Sequence, residues 1–103
     1  MTAMQEDIVL TALRDAEECT AHALAETWQP IDGLPAQPRV QRLLDALRVA
    51  EQRLQQGESL QASEFRQLLR WLSDWIPDTS HPVLGAVSRV ERALAGQEDA
   101  PRS

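Results

Sequence analysis

An all-α fold, a small four-helix bundle in a single domain, follows from three features of the sequence. Four amphipathic stretches carry helical spacing, each is bounded by its own stop signal, and no segment alternates as a half-buried strand would. The 103 residues suffice for one hydrophobic core without staples. The bundle is expected to occupy 1–96, with helices over about 3–27, 38–56, 62–76 and 82–95. The tail, 97–103, has no apolar anchor and is expected to be disordered.

The first helix rests on Ile8, Val9, Ala12, Leu13, Ala16, Cys19, Ala23 and Leu24, which recur at three- and four-residue steps on one face. Pro30 stops it, and the connection from Gln29 to Gln37 holds Pro30, Gly33 and Pro35, with Ile31 and Leu34 expected to pin it to the core. Pro38 suits the first turn of the second helix, where its missing N–H has no partner to lose. Val40, Leu43, Leu44, Leu47, Ala50 and Leu54 form the stripe, Val49 lies opposite it, and Gly57 ends the helix. The third helix begins after Gln61, with Glu64 placed to reach back as a capping partner. Phe65, Leu68, Leu69, Leu72 and Ile76 give its buried face, and Pro77 closes it. The fourth opens at His81-Pro82 with Ser80 or His81 as N-cap, buries Val83, Val87, Val90 and Leu94, and ends at Gly96.

Composition narrows the chemistry. The chain has no Lys, Asn or Tyr, and all ten basic residues are Arg. That usage avoids A- and T-rich codons, which points to a GC-rich genome of a bacterium, phage or plasmid. It also removes Schiff-base and P-loop lysines, tyrosine acids and an Asn clamp on adenine. No apolar run approaches the roughly 20 residues that span a bilayer. The acidic start, Met1 to Asp7, is unlike a basic signal peptide, and Cys19 is the lone cysteine, so a cytoplasmic protein is expected. The net charge of −6 is uneven. Residues 1–28 hold Glu6, Asp7, Asp15, Glu17, Glu18 and Glu26 against Arg14, whereas 38–56 hold Arg39, Arg42, Arg48 and Arg53 against Asp45 and Glu51. Two readings follow: complementary rims of adjacent helices, or an acidic face for a basic partner.

Metal and catalytic sites are not expected. Cys19 and His22 have a chelating spacing, but only His81 remains as a further soft ligand, short of the four a structural zinc needs. Ser59, Ser63, Ser73, Ser80 and Ser88 fall at caps, loops and helix exteriors, with no glycine-rich elbow. The acids of the first helix are expected to face water, without cause for a raised pKa. No cofactor motif occurs, so a non-enzymatic protein is expected.

Ala86-Val87-Ser88-Arg89-Val90-Glu91-Arg92-Ala93-Leu94 resembles the recognition helix of phage-repressor-type helix-turn-helix proteins, whose reading helix often ends in a Ser-Arg-Ile-Glu-Arg run. The likeness covers nine residues and implies DNA binding. Upstream, Pro77 and Pro82 interrupt the stretch where that motif needs a continuous helix and a tight turn. A pI near 4.8 also lacks the basic footprint of a DNA reader.

The tryptophans are the strongest functional lead. Trp75 is offset to one side of the third helix's apolar face and Trp71 further round, beyond Leu68, so the apolar arc is broader than one neighbour requires. Trp and Arg dominate interface hot spots, and Trp71, Trp75, Arg66 and Arg70, with Trp28, are the expected partner-binding residues. The alternative is that Trp71 and Trp75 cover a corner of the core. The expected function is binding of another protein, as an inhibitor, adaptor, immunity protein or secretion chaperone. The runner-up is a helical regulator or subunit of a nucleic-acid-associated complex, and self-association is a third reading.

Overall fold

The computed structural model describes residues 2–26, 33–76 and 80–98, and the side chains of 8–26, 33–76 and 80–96. It is a four-helix all-α domain with α1 at Thr2–Ala25, α2 at Gln37–Gln55, α3 at Ala62–Ser73 and α4 at Pro82–Glu98. Among the described residues there is no strand, and no helix is long and apolar enough to cross a membrane.

Close backbone packing joins α1 to α2, α1 to α4, and α3 to α4. Polar pairs report the registers: Arg14 with Glu51, Glu26 with His81, and Arg66 with Glu91. The helices alternate up and down around a core of Val9, Leu13, Ala16, Leu43, Leu47, Phe65, Leu72, Val87, Val90 and Leu94. Among the described residues Thr20 is the buried polar exception, and its hydroxyl donates to the Ala16 carbonyl one turn back at 2.6 Å.

The caps follow the sequence signals. Gly57 takes φ +86°, a left-handed conformation that glycine adopts without a Cβ penalty. Its N–H bonds the Leu54 carbonyl and the Glu58 N–H bonds the Arg53 carbonyl, the paired bonds of a Schellman terminus. The Gln61 N–H donates to Glu64 Oε2 at 3.0 Å, starting α3. Of the two N-cap choices for α4, His81 does the capping: its Nδ1 accepts the Val83 N–H at 3.2 Å.

Several expectations are corrected. α1 ends at Ala25 rather than 27, and α3 at Ser73 rather than 76. In α3 the last turn tightens, with the Asp74 and Trp75 N–H groups bonding carbonyls three residues back. Gly96 does not terminate α4, which continues to Glu98, so the tail cannot begin at 97. Ile8 was expected in the buried face but is 57% exposed. About 100° round the helix from the fully buried Val9, Ile8 lies at the margin of the face that α2 and α4 cover rather than within it. Leu34 does not pin the connection, being 56% exposed; the buried Ala36 anchors it instead. Trp28, Ile31 and residues 99–103 lie outside the described residues.

A candidate protein-docking groove between the second and third helices

The seam between α2 and α3 lacks the close backbone packing of the other three. The cause is local. On this flank α2 presents Ala46 and Ala50, too small to fill the gap, while its leucines point into the core. α3 faces it with Phe65, Leu68 and Trp71. Two adjoining hollows result, open to solvent, of about 380 Å³ and about 300 Å³. Val49, 54% exposed, forms part of the lining, so the apparently isolated valine belongs to a continuous apolar trough.

Side chains bridge the seam where backbones do not. At one end, Arg53 of α2 donates to Glu58 at 3.0 Å and to Glu64 of α3 at 2.8 Å. The Arg53 guanidinium, with the Gln61 N–H, holds the Glu64 carboxyl below the usual range against the opposing effect of burial. At the other end, Arg42 lies over the Trp71 ring at 5.7 Å and Arg39 over the Trp75 ring at 5.3 Å. The two indoles meet edge to face with centroids 5.3 Å apart.

This geometry divides the residues selected from sequence. Trp75 is 3% exposed and belongs to the core, while Trp71 is half-buried at the groove's edge. Arg70 is exposed on the outer face of α3. Arg66 is turned the other way, donating to Glu91 of α4 at 2.8 Å, so it is not brought beside Trp71. Trp28 lies outside the described residues. Sequence reasoning passed over Arg42, Ala46 and Ala50. The available signal was the Ala46–Ala50 pair, one helical turn apart and next to Val49.

Elsewhere, one first-helix acid departs from the expected solvated state. Burial, then a hydrogen bond and repulsion from Glu51, push the Glu17 carboxyl up to about 7, against the pull of Arg48 and Arg14. Glu17 Oε2 is shielded from solvent and meets no donor among the described residues. A proton held on Glu17 and donated to Glu51 satisfies both groups, and it lowers the Glu51 carboxyl. The α1–α2 rim therefore couples Arg14, Glu17 and Glu51 rather than simply opposing an acidic helix to a basic one. Burial also pushes the Cys19 thiol up, which disfavours the nucleophilic thiolate. No group of three His, Cys, Asp or Glu among the described residues could hold a metal ion. Comparison with family models, with curated proteins and with solved structures finds no match.

Proposed function

We propose that this chain is a non-enzymatic protein-binding module, a cytoplasmic inhibitor, adaptor, immunity protein or secretion chaperone of a bacterium or mobile element. The open α2–α3 groove is the observation that carries the reading. From Arg42 to Arg53 it follows α2 for about three turns, or roughly 17 Å, the footprint of an amphipathic helix anchored at i, i+4 and i+7. Its α2 wall includes Ala46 and Ala50, whose small side chains permit close approach of a helix backbone. Its other wall ends on a half-buried tryptophan, the residue type most enriched in binding hot spots.

A non-enzymatic role draws support from chemistry. The raised carboxyl, Glu17, sits on the α1–α2 rim, contributes nothing to the groove lining, and is taken up by Glu51. The test is site-specific photocrosslinking in the native host. A benzophenone side chain replaces Val49 in the groove or Asp15 on the exposed face of α1. A discrete protein adduct from position 49, lost when Ala46→Arg fills the trough at unchanged thermal midpoint, is the expected result. Adducts from position 15 alone, or adducts to nucleic acid, would overturn the reading.

A further inference from the structure

The two ends of the groove differ in charge, and that difference carries an inference about the occupant. At the Arg53 end the guanidinium is matched by Glu58 and Glu64. Asp45, midway, accepts the Gln41 amide at 3.0 Å. At the Trp71 end Arg42, which lines the groove and stacks on Trp71, has no carboxylate partner among the described residues. The floor between the ends is apolar: Ala46, Ala50, Phe65 and Leu68.

We infer that the occupant is an acidic amphipathic helix, lying parallel to α3 with carboxylates in its last turn against Arg42. This rests on the groove being a docking surface. The orientation follows from two effects of the same sign. Carboxylates are attracted to the unmatched Arg42, and the negative end of the helix macrodipole is its C-terminus. The reverse orientation would bring the positive N-terminal end onto Arg42 and carboxylates onto Glu58 and Glu64. A basic helix would meet repulsion at Arg42 in one direction. In the other its cations would face Arg53, whose carboxylates are already engaged.

The probes are two helix-stapled peptides of about 14 residues, roughly four turns, with leucines at i, i+4 and i+7. They differ only in carrying glutamates or arginines in the last turn. Each is titrated into the full chain, with fluorescence anisotropy giving affinity and the backbone amides of Ala46, Ala50 and Leu68 giving location. The acidic peptide is expected to bind about tenfold tighter at low salt, with the gap narrowing as salt is added. Arg42→Glu, checked for an unchanged thermal midpoint, is expected to remove or reverse the preference. Equal affinity of both peptides at the groove amides would overturn the charge inference while leaving the groove as a docking surface. No shift of those amides with either peptide would remove both. A concentration-dependent dimer with its interface at these amides would make a second copy the occupant, and would also overturn the inference.

Discussion

Replacing Glu17 with glutamine should stabilise the protein at alkaline pH and leave it nearly unchanged at mildly acidic pH. In the folded chain the carboxyl is raised from 4.5 to about 7, because Oε2 is shielded and Glu51, held ionised by the hydrogen bond from Glu17 and by Arg14 Nε at 3.3 Å, favours the proton on Glu17. The folded state therefore binds the Glu17 proton more tightly than the unfolded chain does. Its contribution is complete below 4.5 and is lost as pH rises through 7. At about 1.4 kcal/mol per pH unit, that interval sets a ceiling of roughly 3 kcal/mol. Glu51 shifts in the opposite direction through the same contact, and both side chains retain some solvent, so a net effect of about 1–2 kcal/mol is expected. Glutamine keeps a permanent N–H for Glu51 and cannot ionise. Thermal melts by circular dichroism at pH 5 and pH 8 are the assay. At pH 8 the variant's midpoint should rise by roughly 4–8 °C for each kcal/mol gained, and at pH 5, just above the unfolded-state value of 4.5, most of that gap should be gone. A variant that melts at or below the wild type at pH 8 would refute the shared proton.

Leu47→Ala empties the middle of the α2 stripe and should cost roughly 2–5 kcal/mol, whereas Val49→Ala on the groove side should stay within about 0.5 kcal/mol. Equal losses in denaturant melts would place the wrong face of α2 in the core. Trp75→Ala should cost about 3–5 kcal/mol as a buried aromatic, and a mild loss would contradict its place in the core. Gly57→Ala should lose about 1–2 kcal/mol to backbone strain alone, since φ is +86° and no atom would crowd the new Cβ. Gly96→Ala, inside α4 with open space around it, should gain up to about 1 kcal/mol; a loss would mean that the helix ends there after all.

Helix number, order and inward faces were legible because spacing, capping and burial agree. Val40, Leu43, Leu44 and Leu47 could be read as buried from their period, and Gly57 as a helix end from its chemistry. Ile8 was not legible in the same way. Its spacing from Ala12 is helical, but it sits at the margin of the arc of Val9, Leu13, Ala16 and Ala23, and the width of that arc is set by how α2 and α4 pack on α1. Glu17 fails to read for a similar reason, because its neighbours come from α2. The candidate site was half legible. Trp71 announced itself by its position on the wheel, but a groove is a gap between two helices. The apolar part of its α2 wall is two alanines and a valine that look unremarkable until α3 lies opposite. Grouping Arg66 with Trp71 relied on proximity in sequence, whereas around the helix they point to different neighbours.

The central claim is that the α2–α3 groove binds while the core beneath it folds, and Trp71 lies at the boundary between the two. The decisive measurement pairs the thermal midpoint of Trp71→Ala with its dissociation constant for the acidic stapled peptide, beside Leu72→Ala as the core reference. Half-buried Trp71 should leave little internal cavity when truncated, while loss of its indole should weaken binding by about 2 kcal/mol, roughly thirtyfold. Leu72, fully buried, should show the large fall in midpoint. If Trp71→Ala unfolds as readily as Leu72→Ala, or binds the peptide as tightly as the wild type, the groove is not the docking surface described here.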